Sequence, residues 1–438
     1  MTLTFHHLMS MATFIFTVVL ISKVLSERRA PGSTMAWLLI MGLVPYVGIP
    51  LYLFIGDRKI RRLAGQKAVL YSKLQSPKTT SGNDFRPLAS GEAAYEAILL
   101  AIHAAKSRIH FATFILGKDA VGQAILDALC EKARQGVQVR LLLDGVGSLW
   151  FPRSRLRELK KAGGDFAIFM PLLRMPFSGH SNLRNHRKMV LIDGQRAILG
   201  GMNATDEYMG PTPSPKRWTD FSFEVSGEAL PELENIFNSD WLFASGKPIE
   251  ASPLPVTATG QVPVKVIASG PDVPGDTLYE LLLTQIFAAR TRIWIATPYF
   301  IPDETLARAL ELACRRGVDV RIVVPAHSNH PLADLCRGSY LKQIDHAGGQ
   351  LCLFMAGMMH AKMTVMDDTF ALIGSANLDM RSLLYNYEVG VRLTSKDSVE
   401  AVAAWFTGIF TKTRKTHPAN HWASSYLDGI GRIFGPLL

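Results

Sequence analysis

The chain opens on two long apolar stretches and then settles into alternating helix-period and strand-period segments. Residues 1–22 carry no Lys, Arg, Asp or Glu and include a strongly apolar run at 12–21, together long enough to span a bilayer as a helix. A second uncharged stretch covers residues 30–56. Between the two, Ser26-Glu27-Arg28-Arg29 is short enough to be the tip of a helical hairpin, so residues 1–63 are expected to form an N-terminal transmembrane hairpin. Pro31, Pro45 and Pro50 in the second segment predict a kinked or re-entrant path rather than a straight span. The first segment lacks the basic flank and small-residue cleavage site of a signal peptide. Residues 64–84 are polar with Gly, Ser, Thr and Pro and read as a linker.

Beyond the linker the pattern repeats. Tyr95-Glu96-Ala97-Ile98, Ala104-Ala105-Lys106-Ser107-Arg108-Ile109 and Gly136-Val137-Gln138-Val139-Arg140 return in order as Tyr279-Glu280-Leu281-Leu282, Ala288-Ala289-Arg290-Thr291-Arg292-Ile293 and Gly317-Val318-Asp319-Val320-Arg321. Each copy continues through Ala-Gly-Gly, at 162–164 and 347–349, so the unit is a whole lobe rather than a short solenoid repeat. Helix-period stretches at 120–135 and 304–316 alternate with β-rich runs at 137–143 and 318–324, which argues an α/β sandwich in each copy. The expected division is a lobe at 85–245, a Pro-, Ser- and Thr-rich boundary at 246–264, and a second lobe at 265–438.

Composition adds three constraints. Against 37 acidic residues stand 47 Lys and Arg, a formal charge of +10, which suits an anionic partner, either nucleic acid or an acidic lipid surface. Four cysteines, Cys130, Cys314, Cys336 and Cys352, show neither disulfide nor metal-site spacing, so neither a disulfide framework nor a zinc site is indicated; no cofactor is expected. Arg58, Lys59, Arg61 and Arg62 outnumber Arg28 and Arg29, so the charge bias places the globular part in the cytoplasm.

The chemistry lies in a motif that occurs twice at identical spacing. His186, Lys188, Asp193, Gly200-Gly201 and Asn203 match His360, Lys362, Asp367, Gly374-Ser375 and Asn377. One such match by chance has odds on the order of one in ten million per start point. Residues two apart on a strand share a face, which puts each histidine beside its lysine. Phosphodiester transfer needs a nucleophile, a proton donor for the leaving alkoxide, and cations or amides on the non-bridging oxygens. Two histidines from two lobes meet that need in one site. A base histidine also takes a carboxylate on its far nitrogen to set its tautomer.

The doubled His-x-Lys-x4-Asp with its Gly-Gly/Gly-Ser-x-Asn ending resembles the signature of the phospholipase D superfamily. Within it the chain is most similar to the bacterial cardiolipin synthases, through Arg28-Arg29-Ala30-Pro31, Asn185-His186-Arg187-Lys188, Asp206-Glu207-Tyr208, Asp240-Trp241, Thr297-Pro298-Tyr299-Phe300-Ile301-Pro302-Asp303 and Asn377-Leu378-Asp379-Met380-Arg381-Ser382. That resemblance implies two α/β/α lobes around one pseudo-twofold active site, without a metal. It implies a covalent phosphohistidine on His186 or His360, His186 being the favoured nucleophile, with the other histidine as acid and base, Lys188, Lys362, Asn203 and Asn377 on the phosphate, and Asp220 and Glu388, which follow the motifs where family members carry an acid, orienting the histidines. Asp193 and Asp367 belong to the motif's catalytic set but read more as structural. The implied reaction joins two phosphatidylglycerol molecules into cardiolipin, releasing glycerol, at the bacterial inner membrane and among anionic lipids. The alternatives are a phospholipase D or transphosphatidylase using water or phosphatidylethanolamine, and a membrane-attached nuclease. No nucleic-acid partner is expected, because an apolar hairpin has no use there. The family's Trp-Arg-Asp-Thr-His is replaced by Trp218-Thr219-Asp220-Phe221-Ser222.

Overall fold

The computed structural model of this 438-residue chain describes residues 2–26, 31–55, 78–171, 183–249, 257–273 and 275–416. The first apolar stretch is one helix, Thr2–Ser26, and the second is two, Pro31–Leu43 and Pro45–Ile55. Among the described residues no helix is long and apolar enough to cross a membrane, so the expected transmembrane hairpin is not displayed as such. The break falls at Val44-Pro45, where proline has no N–H to continue the preceding helix yet suits the first turn of a new one. Gly48 makes the bend compact, since a Cβ there would lie 2.5 Å from the Ile40 carbonyl oxygen. Leu20, Val24, Trp37, Met41 and Tyr52 bury one another. Phe14, Ile15, Phe16, Val18, Val19, Leu39, Leu43 and Tyr46 remain exposed. The expected hairpin tip, the basic residues Arg58 to Arg62 and the C-terminal run 422–438 lie outside the described residues.

The first lobe contributes strands β1 (Thr80–Leu88), β2 (Arg108–Thr113), β3 (Gln138–Asp144), β4 (Asp165–Phe169), β5 (Met189–Ile192), β6 (Arg196–Gly200) and β7 (Ser222–Gly227). The second adds β8 (Val262–Ser269), β9 (Arg292–Ala296), β10 (Phe300–Ile301), β11 (Asp319–Pro325), β12 (Gln350–Phe354), β13 (Met363–Met366), β14 (Phe370–Gly374), β15 (Leu378–Asp379), β16 (Glu388–Leu393) and β17 (Thr413–Thr416). The linker expected at 64–84 therefore ends inside β1, and the boundary expected at 246–264 ends inside β8. Polar composition hides the first of these strands. Buried Asn83 donates to the carbonyls of Thr80 and Val262 and accepts from the Ala229 N–H, so tertiary hydrogen bonds replace the apolar face a strand usually shows.

Instead of two separate sheets, the lobes share one of fifteen strands, ordered β17-β12-β11-β9-β13-β14-β16-β8-β1-β7-β6-β5-β2-β3-β4. Read outward from the β8–β1 junction, the halves match strand for strand, and β17 extends the second. In each half three parallel strands, β2-β3-β4 or β9-β11-β12, are followed by the antiparallel pair β5-β6 or β13-β14. Parallel strands need crossover helices, and Ala120–Arg134 shows how the sequence makes one. Asp119 caps it at Val121 and Gly122, and Val121, Ile125, Ala128 and Leu129 bury one stripe. One apolar core lies under each outer face. A third runs beneath both lobes, combining Phe169, Phe223 and Phe237 with Val266, Val391 and Phe406. This shared core fixes the two half-sites against each other.

Candidate active site

The segments carrying the histidines are stitched across the lobe boundary. His186 donates its backbone N–H to the Tyr387 carbonyl at 2.9 Å while Tyr387 donates to Arg184 at 2.9 Å. On the other side His360 donates to the Thr219 carbonyl at 2.7 Å and Thr219 to Met358 at 2.8 Å. Each histidine is thereby held against the segment that bears the other lobe's carboxylate. His186 Nδ1 lies 3.0 Å from Glu388 Oε1 and 3.0 Å from the Ser375 carbonyl oxygen. His360 Nδ1 lies 2.7 Å from Asp220 Oδ2. Two acceptors on His186 Nδ1 require the proton there, which leaves Nε2 with its lone pair. The pairing is crossed, so neither lobe contains a complete histidine–carboxylate unit.

The Gly-Gly/Gly-Ser difference between the motifs now has a cause. A Cβ at Gly201 would lie 2.3 Å from Asp220 Oδ1, so glycine admits the carboxylate. At the equivalent position Ser375 donates its hydroxyl to Glu388 and accepts from the Val389 N–H. Arg187, fully buried, forms two bonds to Asp240, at 2.7 and 2.9 Å, and donates to the Glu388 and Ser269 carbonyls. Asn185 donates to the same Asp240. This network braces Glu388 from behind.

Lys188 and Lys362 sit two residues beyond the histidines, each donating to its own histidine's carbonyl. Burial lowers both ammonium pKa values, Lys188 to about 7 and Lys362 to about 8, against the attraction of Glu388 and Asp220. Burial also depresses both imidazoles, His360 furthest, with Lys362 and Lys188 adding to the effect. The same burial raises Asp220 to about 6. Burial thus leaves the site with more cationic groups than it can keep charged, and an anion beside them would restore their charge.

Asn203 accepts the Ile115 N–H at Oδ1. Asn377 Oδ1 is buried and has no hydrogen-bond partner among the described residues. Phe114 meets the His186 ring edge-on at 5.0 Å, and Tyr208 and Trp218 enclose His360, with the Tyr208 hydroxyl 3.3 Å from Nε2. The aromatic enclosure escaped sequence reasoning, since nothing in the spacing of Phe114 or Trp218 marks them; Tyr208 appeared only within a resembling stretch.

The motif aspartates lie elsewhere. Asp193 takes hydrogen bonds from the N–H groups of Lys106, Ser107 and Arg108 and from the Ser107 hydroxyl. Asp367 does the same for Arg290, Thr291 and Arg292. Both sit in the β-turn between paired strands at positive φ, 54° and 51°. Both pin turns. Among the described residues no group of three His, Cys, Asp or Glu could hold a metal ion.

A sequence-family model described as "Cardiolipin synthase, PLD-like domain" matches residues 98–241 and 282–410, the two lobes. The chain belongs to the cardiolipin synthase family. A second model, "Phospholipase_D-nuclease N-terminal", matches residues 13–56. A cardiolipin synthase of Geobacillus kaustophilus is 34% identical, the match covering 96% of this chain and 92% of that one. A probable cardiolipin synthase of Bacillus subtilis is 31% identical over 95% of this chain and 90% of its own length. Among solved structures, phosphatidylserine synthase of Haemophilus influenzae superposes with a TM-score of 0.64 at 17% identity, over 84% of this chain and 96% of that one. At that identity the likeness concerns the fold.

Proposed function

We propose that this member of the cardiolipin synthase family transfers a phosphatidyl group from one phosphatidylglycerol to another, making cardiolipin and releasing glycerol. The observation that carries the reading is the crossed pairing, His186 with Glu388 and His360 with Asp220. It sets a carboxylate of the opposite lobe on Nδ1 of each ring, beside the buried Lys188 and Lys362. Nε2 of one histidine attacks phosphorus and the P–O bond to glycerol breaks. The other histidine, entering as imidazolium, gives its proton to that oxygen. The phosphatidyl group is then bonded to nitrogen. The primary hydroxyl of a second phosphatidylglycerol loses its proton to the now neutral histidine and attacks phosphorus, breaking the P–N bond and regenerating the nucleophile's imidazole and the acid's imidazolium. Lys188, Lys362, Asn203 and Asn377 are assigned to the non-bridging oxygens.

Both substrates reside in a bilayer, and the uncharged runs at 1–22 and 30–56 with their exposed Phe14, Ile15, Val18, Val19 and Tyr46 support attachment of the N-terminal region to the membrane. The reading extends to a two-segment hairpin in the bacterial cell membrane, with the lobes at 85–245 and 265–438 on the cytoplasmic side. Incubating the detergent-purified full chain with phosphatidylglycerol alone tests the reaction. Cardiolipin and glycerol should appear in equal amounts and vanish in His186→Ala and in His360→Ala. Phosphatidic acid in their place would make the protein a hydrolase.

A further inference from the structure

The loop that follows β3 has its base in the active site and its tip in solvent. Asp144, fully buried at the end of β3, accepts the Val146 and Gly147 N–H groups on one oxygen and the Asn185 N–H on the other. Asn185 adjoins His186. Ser148 donates to the Phe114 carbonyl and accepts from the Leu116 N–H, and the Phe114 ring packs on His186 with Lys188 Nζ 5.5 Å from its centre. Buried Phe151 closes the loop. Between these anchors Trp150 stands 81% exposed and Val146 39% exposed. Scattered exposed apolar side chains are ordinary, but here a rigid base presents the largest of them at the rim of the site. At the matching rim of the second lobe, Leu332 and Met355 follow β11 and β12 and are exposed as well.

The helix Arg153–Lys161 begins directly after this loop. Leu156 and Leu159 are buried, while Arg153, Arg157 and Lys160, at helical spacing i, i+4 and i+7, are exposed. At 1.5 Å per residue the helix carries Lys160 about 10 Å beyond Arg153, so Arg153 and Arg157 are the cations of this exposed face nearest Trp150 along the chain. An exposed tryptophan with arginines a turn or two behind it is the composition of a membrane-interface contact: the indole settles at headgroup level and the guanidiniums attract lipid phosphate. A protein partner would be met by an apolar face of greater extent, and an aqueous rim has no use for an 81% exposed indole.

We propose that Trp150, with Val146, Leu332 and Met355 around the rim and Arg153 and Arg157 behind it, docks the active-site mouth on an anionic lipid surface. This rests on the phosphatidyl-transfer reading for its purpose, since a mouth held against the bilayer lets a headgroup reach His186 and His360 without crossing water. It assigns the bilayer contact of the catalytic lobes to the C-terminal ends of β3, β11 and β12, separately from any anchoring by the N-terminal helices.

The full chain tests it. Trp150→Glu should lower cardiolipin formation from phosphatidylglycerol vesicles several-fold and leave unchanged the rate on dihexanoyl-phosphatidylglycerol dispersed as monomers. Trp150→Phe should keep most of the vesicle rate. Phosphatidylglycerol brominated in its acyl chains should quench the tryptophan emission of the unaltered chain more than that of Trp150→Phe. Equal loss on both substrates, undiminished activity on vesicles, or no difference in quenching overturns the proposal. So does conversion of an oligomer to a monomer by Trp150→Glu in detergent, which would give the patch to a second copy of the chain. If the unaltered chain turns over neither substrate while the quenching difference persists, the transfer reading fails and the docking stands.

Discussion

At the scale of single residues, the site is defined by where protons are held. Glu388 and Asp220 accept from Nδ1 of the opposite lobe's histidine, and an amide in either place removes the negative charge and can turn an NH2 donor toward Nδ1, which selects the other tautomer. Glu388→Gln and Asp220→Asn should each lower kcat by about 10³-fold or more while leaving the far-ultraviolet circular dichroism unchanged. The lysines give a second expectation. Unfolded, they titrate near the usual lysine value of 10.5; folded, near 7 for Lys188 and 8 for Lys362. Between those limits the unfolded chain binds more protons, so stability contributed by these groups rises with pH. Lys188→Met should therefore raise the thermal midpoint at pH 7 and flatten its rise toward pH 9, while abolishing turnover. A differential scanning series across that range checks the sign. An anionic phosphate in the pocket reverses the depression, so substrate binding above neutral pH takes up protons.

At the scale of elements, the motif spacing serves two purposes that look alike in sequence. His186 and Lys188 project from one extended segment into the pocket, whereas Asp193, five residues past the lysine, lies in the turn that joins β5 to β6 and ties it to the start of β2 through four hydrogen bonds. Asp193→Ala should cost about 1–3 kcal/mol of stability and leave kcat near normal at a temperature where the variant is folded; a stability curve paired with initial rates separates the two. The doubled motif, the helix and strand periods and the repeat were legible because each depends on local spacing. β1 was not, since its Asn83 is satisfied by Thr80, Val262 and Ala229, partners far apart in the chain. The break at Val44-Pro45 was legible as a kink, because proline acts on its own helix.

At the scale of the whole molecule, one sheet and one shared core make the lobes a single catalytic unit. Glu388 reaches His186 from the second lobe, Asp220 reaches His360 from the first, and Arg187 grips the backbone of Glu388 while bonded to Asp240. Residues 1–249 and 257–438 expressed separately should each be inactive, and co-expression should restore cardiolipin formation, because the core beneath both lobes re-forms only when Phe237 and Phe406 lie under the same sheet. Activity in either half alone would remove the crossed site from the mechanism.

Sequence alone determined the α/β class, the doubled motif with its paired histidines and lysines, and the family resemblance. Each is a matter of residue type at fixed separation, and strand geometry converts a separation of two into a shared face. It also supplied Asp220 and Glu388 as carboxylates in search of a histidine. Which histidine each one serves was decided by tertiary structure. The partners are 202 and 140 residues apart, and only the continuous sheet, with β8 laid against β1, brings the second lobe's carboxylate to the first lobe's imidazole. The dry pocket that depresses the lysines and the exposure of Trp150 at its rim are likewise properties of packing, because burial is set by what the rest of the chain places around a residue.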